Sequence, residues 1–301
     1  MSFTKRIDEI FKKAKIIEFD NSSKFVIMSD CHRGDGNLGD NFSKNQDIYF
    51  YALKYYYKNN YTYIELGDGD ELWEGKKISD IISNYSNVFW ILSKFYKEGR
   101  IHFIYGNHDM VKRDKKYIKK NFCKYFDEKL RSYITLFKGV EFHEALVLKK
   151  RYGCNKILLI HGHQGDFAND KMWKVTRFLV RYVWKSLEIY GVNDPTSTAK
   201  NYKKKNIIEK RFTQWAKEKK TMIITGHTHR PMFPEVGEVP YFNDGSCVHP
   251  RCITAIEINN GEIELVKWCI GARRDGTLAI LRTVLAGPRK MNDYFESFRK
   301  D

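Results

Sequence analysis

The chain has 301 residues, with 53 basic and 37 acidic side chains and a formal net charge of +16. Hydrophobic residues make up 42% of it, which is enough for a sizeable core and excludes a chain that is disordered throughout. The positive charge attracts polyanions such as phosphorylated small molecules, nucleic acid or an anionic membrane surface; the alternative is that scattered lysines only solvate helix faces.

The first 20 residues contain the pattern of an amphipathic helix, with five apolar side chains on one face: Phe3, Ile7, Ile10, Phe11 and Ala14. Packing of this helix on the domain is the favoured interpretation, and binding to a membrane surface is the alternative. The start lacks the features of a signal peptide, no run of 18 apolar residues occurs, and the six cysteines form no CxxC pair. We therefore expect a cytoplasmic protein, with peripheral contact to the inner face of the membrane as the alternative.

Short apolar runs recur along the chain, and five of them are followed at once by a polar turn with glycine. The pairs are "KFVIMS" and "DCHRGDG", "YTYIEL" and "GDGDELW", "RIHFIY" and "GNHDM", "KILLI" and "HGHQGD", and "TMIIT" and "GHTHRP". Such runs predict buried strands, and the helical segments 43–57 and 79–97 lie between the first three. This alternation predicts an α/β domain. Later strands at 145–149, 239–243, 252–258 and 262–266 have no helices between them, which predicts a partly antiparallel sheet.

Residues 167–220, between the last two polar turns, are predicted to form a helical insert or cap. One helical face in this segment is apolar, while Arg177 and Arg181 lie on another face with two lysines, and a second helix is predicted at 207–219. The basic stripe is either a solvated face or a binding face. We find no repeat or flexible linker, so residues 1–301 are interpreted as one domain that carries the insert.

The polar turns collect residues that bind metals. Ligands bind at the carboxyl ends of strands in open α/β sheets, and the side chains found there are Asp30, His32, Asp68, Asn107, His108, His161, His163, His227 and His229. Six of the nine histidines of the chain lie in these turns, whereas structural histidines would be scattered.

Imidazole nitrogens and carboxylate oxygens are good ligands for Mn, Fe and Zn. Seven such ligands exceed what one tetrahedral ion needs, and they suit two divalent ions that share a carboxylate, with Mn as the favoured metal and Fe or Zn as alternatives. An ion pair of this kind binds phosphate oxygens and lowers the pKa of a bound water, so that hydroxide can attack phosphorus.

The five turns, in this order, resemble the signature of the calcineurin-like metallophosphoesterases from about residue 26 to residue 231. The resemblance implies a four-layer αββα sandwich. It also implies one ion on Asp30, His32 and His229, a second on Asn107, His161 and His227, and Asp68 as the bridge. His108 would assist the leaving group as general acid or electrostatic stabiliser, and Asp109 would orient His108.

Within that superfamily, "GDGDELW", "HGHQGD", the insert and "GHTHRP" most closely resemble the UDP-diacylglucosamine hydrolases, which cleave a pyrophosphate. One motif departs from that branch, which usually has arginine where His108 stands. Histidine at this place is the pattern of broader phosphomonoesterases and phosphodiesterases.

Four residues are candidates for substrate binding. Arg33 follows a predicted ligand and could reach a phosphate oxygen, with an ion pair to Asp35 as the alternative. His163 lies two residues beyond a predicted ligand and either supports the ligands or faces the substrate. Arg177 and Arg181 complete the set. Cys31, between two predicted ligands, is interpreted as a small buried thiol.

The leading hypothesis is a dinuclear metal-dependent phosphoesterase that acts on a phosphoester or pyrophosphate bond of a small phosphorylated molecule or nucleotide conjugate. One alternative is a nucleic-acid phosphodiesterase or nuclease, which the charge of +16 motivates. Another is a non-catalytic scaffold with the same fold. The sequence leaves open the oligomeric state and whether residues 271–301 fold onto the insert or extend.

Overall fold

A computed structural model describes residues 2–37, 39–73, 77–127, 130–166, 170 and 201–298. Most of the predicted insert, with Arg177 and Arg181, lies outside the described residues. The described helices are α1 Phe3–Lys13, α2 Gln46–Lys58, α3 Ile78–Asn84, α4 Ser86–Lys97, α5 Lys115–Asn121, α6 Tyr202–Lys219 and α7 Met291–Ser297.

The described strands are β1 Lys15–Phe19, β2 Phe25–Met28, β3 Thr62–Leu66, β4 Ile101–Ile104, β5 Lys124–Asp127, β6 Ser132–Thr135, β7 Phe142–His143, β8 Ala145–Lys150, β9 Lys156–Ile160, β10 Met222–Thr225, β11 Tyr241–Asn243, β12 Cys252–Asn259, β13 Glu262–Ala272 and β14 Leu278–Lys290. One sheet has the order β14-β13-β12-β2-β3-β4-β7, a second has the order β1-β8-β9-β10-β11, and β5 pairs with β6. In the first sheet β2, β3, β4 and β7 are parallel, and β12, β13 and β14 are antiparallel, as the missing helices predicted.

Alternation of side chains along the strands produces four layers. In β2, Val26 and Met28 pack against α2, α3 and α4 on the outer face of the first sheet. Ile27 faces the other way and packs between the sheets, against strands such as β8 and β9. On the outer face of the second sheet, Val147 and Leu158 pack against α1 and α6. The predicted αββα sandwich is confirmed.

The N-terminal segment corrects one boundary of the sequence analysis. The amphipathic helix was predicted within residues 1–20, but α1 ends at Lys13, and β1 follows at once and pairs in parallel with β8. Ile7 and Ile10 are buried against the second sheet, and the rings of Phe3 and Phe212 meet edge to face with their centroids 5.0 Å apart. The apolar face of α1 is thus covered by the domain itself. None of the helices in the described ranges has the length and apolar character needed to cross a membrane.

Two further segments differ in detail from their predicted form. The predicted helix at 79–97 is divided at Tyr85 into α3 and α4. Residues 271–297, which the sequence analysis left open, continue β13, form the long antiparallel strand β14 and end in α7. The last part of the predicted insert is α6, which buries Phe212 and Trp215 against the second sheet and so belongs to the outer helical layer.

Candidate metal centre

The central strands of both sheets end at one place. Strands β2, β3 and β4 lead directly into the turns that carry Asp30, Asp68 and Asn107. Strands β9 and β10 of the second sheet are parallel and lead into the turns of His161 and His227. Because the sheets pack face to face, these turns meet, and all seven predicted ligands are brought to this edge.

Several of the turn residues have a backbone conformation that side chains other than glycine rarely adopt. A positive φ between 48° and 66° occurs at Asp30, His32, Asp68, His227 and His229. Such left-handed residues are uncommon and cluster at functional sites, where surrounding structure holds them. Here each conformation allows a strand end to turn sharply while it keeps its side chain at the shared edge.

Three side chains form a first cluster. Asp30, His32 and His229 each offer a ligand atom within 4.8 Å of the other two. Nε2 of His229 is 3.0 Å from Oδ1 of Asp30, and Nε2 of His32 is 3.6 Å from the same oxygen. One carboxylate oxygen and two ring nitrogens therefore converge on one point.

A second cluster consists of Asp68, His161 and His227, also within 4.8 Å of one another. Nε2 of His161 is 3.2 Å from Oδ2 of Asp68, while Nδ1 of this ring is 2.9 Å from the carbonyl oxygen of Leu66. Since Nδ1 can only donate to that carbonyl, Nε2 is the nitrogen that can bind a metal ion once it has lost its proton. Oδ2 of Asp68 is also 3.7 Å from Nε2 of His32, so Asp68 lies between the two clusters.

The ligand atoms of both clusters fit divalent cations. Among the described residues, four buried atoms at this edge make no hydrogen bond of good geometry, although two of them have a close ionic contact: Oδ1 of Asp30, Oδ1 of Asn107, Nε2 of His161 and Nε2 of His227. Buried polar atoms in proteins almost always have a partner, and these four are of the type that Mn, Fe and Zn bind. Candidate ligands for two divalent ions are therefore present.

Electrostatics at this edge favour positive charge. Burial would raise the pKa of Asp30, but His229 and His161 outweigh it and hold this pKa well below its ordinary range. Burial likewise opposes ionisation of Asp68, yet His161 and His108 hold its pKa far below normal. In turn, burial lowers the pKa of His161 and the two carboxylates raise it more, to about 9. A metal ion that binds His161 must displace this proton.

A buried chain of side chains orients Asp30. The Ser29 hydroxyl is 2.6 Å from Oδ2 of Asp30 and 2.7 Å from Oδ1 of Asp244. Burial, followed by the charge of Asp30, raises the pKa of Asp244 well above its usual range and so favours its protonated form. Asp244 can donate to Ser29 while Ser29 donates to Asp30. Oδ2 of Asp30 also accepts the His227 backbone N–H at 2.8 Å, so Oδ1 is the oxygen of Asp30 that remains for an ion.

Glu71, and not Asp109, orients His108, which corrects the sequence analysis. Nδ1 of His108 is 2.6 Å from Oε2 of Glu71, and the His108 ring stacks on Trp73 with the ring centroids 4.2 Å apart. Burial lowers the pKa of His108, but Glu71 and Asp68 raise it above its ordinary value. A ring held between a carboxylate and an indole is fixed in place, and its protonated form is favoured.

The Asp109 carboxylate is instead used to build the turns. It accepts hydrogen bonds from the backbone N–H of Gly106 at 2.7 Å and of Gly69 at 3.1 Å. It also accepts from Nζ of Lys112 at 2.6 Å, and Lys112 lies 2.7 Å from Asp70. The Asp109 carboxylate therefore connects the "GNHD" turn to the "GDGD" turn through hydrogen bonds.

Arg33 was predicted to contact substrate, and its placement shows that this was wrong. Its side chain is 1% exposed and donates to Asp70 at 2.7 Å and to both oxygens of Glu65 at 2.8 and 3.1 Å. The guanidinium thus forms ion pairs with two buried carboxylates. Ion pairs of this geometry support the strand ends and hold the guanidinium away from solvent.

His163 is also buried, which excludes substrate contact from its present position. Its ring centroid lies 5.5 Å from that of His161 and 6.5 Å from that of His227, and neither ring nitrogen has a hydrogen-bond partner within the described part of the chain. Burial and the two neighbouring histidines hold its pKa well below normal, so the ring is neutral. It packs behind the second cluster. Arg177 and Arg181, the other predicted substrate contacts, lie outside the described residues.

Two candidate functional side chains were not predicted from sequence, although their signals were present. Glu71 stands three residues after Asp68 in the same turn, and it contacts His32 at 3.1 Å as well as His108. Asp244 directly follows β11 in "NDGS", a strand end followed by a glycine turn like the other five. Cys31, by contrast, is buried as expected and packs in the same core cluster as Cys247.

A family comparison agrees with this geometry. The calcineurin-like phosphoesterase family matches residues 23–231, which include all seven candidate ligands. Among solved structures, Vps29 of Chaetomium thermophilum is similar, with 8% identity over 88% of this chain and 97% of that chain and a TM-score of 0.37. No curated protein sequence matches. By the family match over more than half of its length, the chain belongs to the calcineurin-like phosphoesterases.

Proposed function

We propose that this protein is a dinuclear metal-dependent phosphoesterase that hydrolyses a phosphoester or pyrophosphate bond. The observation that carries the proposal is the convergence of two ligand clusters, with buried atoms that make no hydrogen bond of good geometry, at the shared edge of two sheets. In the proposed assignment one ion is held by Asp30, His32 and His229, the other by Asn107, His161 and His227, and Asp68 contacts both. Two divalent cations bound there would neutralise phosphate oxygens and lower the pKa of a water near phosphorus.

We assign His108 the role of the general acid that gives a proton to the leaving group. Glu71 engages Nδ1 of His108, so Nε2 is the nitrogen left to deliver a proton to the departing oxygen. Stacking on Trp73 fixes the plane of the His108 ring. Burial lowers the pKa of His108, but Glu71 raises it more, so this pKa lies above its ordinary value. The protonated form that can give a proton to the leaving group is thereby favoured.

For the substrate class we propose a small phosphorylated molecule or a nucleotide conjugate. Support comes from the resemblance to the UDP-diacylglucosamine hydrolases in "GDGDELW" and "GHTHRP". The histidine at position 108 favours a broader phosphoesterase over that particular lipid substrate. Nucleic acid is a second candidate substrate that the net charge of +16 favours, and its binding would weaken steeply with salt. A non-catalytic scaffold is the third candidate, which the ordered ligand clusters disfavour.

Manganese and a cytoplasmic location are parts of the same proposal. The candidate ligands are oxygen and nitrogen atoms without a thiolate, which suits Mn and also Fe or Zn. All six cysteines are free thiols, and Cys154 is exposed, as expected in a reducing compartment. Burial of the apolar face of α1 removes the feature that suggested membrane contact.

A substrate panel tests the proposal. The protein is loaded with Mn²⁺ and offered p-nitrophenyl phosphate, bis-p-nitrophenyl phosphate, ADP-ribose and single-stranded DNA. We expect metal-dependent turnover of a small substrate, with ADP-ribose preferred if the pyrophosphatase assignment is right. Turnover of DNA alone would support the nuclease, and an Mn-loaded sample that hydrolyses none of the four would support the scaffold.

A further inference from the structure

Strands β12 and β13 place two cysteines opposite each other. The strands form an antiparallel hairpin around the turn at Asn260 and Gly261, and their register pairs Cys252 with Cys269. Each cysteine lies eight residues from the turn residue that is nearer to it along the chain. The hairpin therefore brings together two thiols that are 17 residues apart in the sequence.

Backbone hydrogen bonds show which kind of cross-strand pair the two cysteines form. The N–H of Cys252 donates to the carbonyl oxygen of His249 at 3.3 Å, and the carbonyl oxygen of Cys252 accepts from Nδ2 of Asn45 at 3.2 Å. The next N–H on this side of β12, that of Thr254, also donates to a loop carbonyl and not to β13. Since these groups point away from β13, Cys252 and Cys269 are a non-hydrogen-bonded pair.

The spacing of such a pair fits a disulfide. In a non-hydrogen-bonded pair the Cα atoms are about 4.5 Å apart, and the facing side chains are closer than in a hydrogen-bonded pair. Disulfides join Cα atoms that are about 4.4–6.8 Å apart. Both thiols are free, so a bond between them requires a rotation of the two side chains about their Cα–Cβ bonds and no change in the strand register.

Solvent access distinguishes this pair from a second pair of neighbouring cysteines. Cys252 and Cys269 are both partly exposed, so a small reagent can reach them. Cys31 and Cys247 lie in one core cluster, but both are fully buried. Of these two pairs, the one on β12 and β13 combines a facing register with access from solvent.

We propose that Cys252 and Cys269 form a reversible oxidation site, at which a small disulfide such as oxidised glutathione converts the two thiols into a cross-strand disulfide. One cysteine thiolate attacks a sulfur of the oxidant, which forms a mixed disulfide and releases one reduced glutathione. The other thiolate attacks the cysteine sulfur of that mixed disulfide, which closes the protein disulfide and releases the second reduced glutathione. The two cysteines lose two electrons and two protons, and the oxidant takes up both. This inference does not depend on the proposed function.

Peptide mapping of the full chain tests the proposal. The folded protein is treated with oxidised glutathione, its remaining thiols are alkylated, and it is digested with trypsin, which cleaves after Arg251, Lys267 and Arg273. Because Lys267 lies between the two cysteines, a disulfide holds together two peptides that are otherwise separate. We expect at least half of the chains to yield peptides 252–267 and 268–273 joined in this way, and dithiothreitol to separate them.

Two variants make the result specific. In Cys269→Ser the joined peptides should be absent, and Cys252 should keep glutathione as a mixed disulfide. Cys123→Ser removes a partly exposed cysteine outside the hairpin, so it is the matched control and should form the link as the wild type does. Glutathione on the exposed Cys154 serves in every sample as the sign that the oxidant has reacted. Unlinked Cys252 and Cys269 in a wild type whose Cys154 is modified would overturn the proposal, as would a link from either of them to another cysteine.

Discussion

The Glu71 carboxylate lies 2.6 Å from Nδ1 of His108, and the same oxygen is 3.1 Å from Nδ1 of His32. One buried carboxylate therefore orients both the candidate acid and a candidate ligand. Loss of Glu71 could act through either ring, and the two routes have different kinetic signatures. Loss through His108 depends on how much the leaving group needs a proton, whereas loss through His32 lowers turnover of every substrate.

We predict that Glu71→Gln lowers kcat for an alkyl phosphate by about 10²-fold, the lower end of what a positioned general acid contributes. For p-nitrophenyl phosphate, whose leaving group departs without a proton, kcat should fall less than for the alkyl ester. The measurement is kcat for both esters at saturating Mn²⁺. Equal losses for the two esters would place the effect on His32 and contradict the role assigned to His108.

Asp68 is the carboxylate between the two clusters, 3.2 Å from His161 and 3.7 Å from His32. Asp68→Asn should reduce bound metal and lower kcat/KM by more than about 100-fold, because even outer partners of metal ligands cost 10- to 100-fold when removed. Metal per chain is measured by mass spectrometry after dialysis. Asp293→Asn, at an exposed position in α7, is the control and should keep full metal content. An Asp68→Asn protein with normal metal content would remove Asp68 from the ligand set.

Gly106 is required because Asp68 approaches its backbone closely. A Cβ atom added at Gly106 would lie 2.1 Å from Oδ1 of Asp68 and 2.5 Å from the Asp68 backbone nitrogen, so the "GNHD" turn or Asp68 must shift. Gly106→Ala should therefore lower metal content in the same assay. Gly276→Ala is the control, since a Cβ there meets no atom within 4 Å, although its φ of +82° makes the backbone strained. The control should lose only stability, by about 1 kcal/mol. Full metal content in Gly106→Ala would show that the turn can relax.

The strands and the location of the site followed from local sequence patterns, whereas the four-layer αββα sandwich was implied by the resemblance to the calcineurin-like metallophosphoesterases. Apolar runs of four to six residues predicted the buried strands, and the side chains directly after them predicted the edge at which ligands gather. Both predictions require only that a polar turn follows a strand in the sequence, as Asp30 follows β2.

Side-chain partners across turns could not be predicted in the same way. Asp109 adjoins His108 in sequence, yet Glu71 is the residue that contacts the His108 ring, because the φ values of the turns decide which way each side chain points. Arg33 follows a ligand, but it turns inward because Glu65 and Asp70 offer buried carboxylates. Both outcomes depend on contacts between strands that are 30 or more residues apart.

Lys112 completes the buried charges below the turns. Its Nζ is 2.6 Å from Asp109 and 2.7 Å from Asp70, and all three side chains are buried. Lys112→Met leaves two buried carboxylates with less compensation, and removal of one partner from such a group typically costs about 3–5 kcal/mol. We expect a loss of this size in the free energy of unfolding from urea titration. Lys116→Met, at an exposed position in α5, should change it by less than about 0.5 kcal/mol. Equal stability of the two variants would show that water solvates the carboxylates.

His102 on β4 gives the protein a pH dependence that is separate from metal binding. Burial, followed by the charges of Lys15 and His143, lowers the pKa of His102 to about 4, against about 6.5 in an unfolded chain. The unfolded state therefore binds more protons in this interval, so His102 destabilises the fold as the pH falls from 6.5 towards 4.

His102→Gln should remove this contribution. Between pH 7 and pH 5, the free energy of unfolding of wild type should fall by about 1–2 kcal/mol more than that of the variant, a value reduced for the partial exposure of the ring. Urea titrations of both proteins at the two pH values give the difference. Because the metal centre and His143 are common to both proteins, their proton effects cancel in it. Equal falls for the two proteins would mean that the His102 ring is hydrated in the folded state and keeps its ordinary pKa.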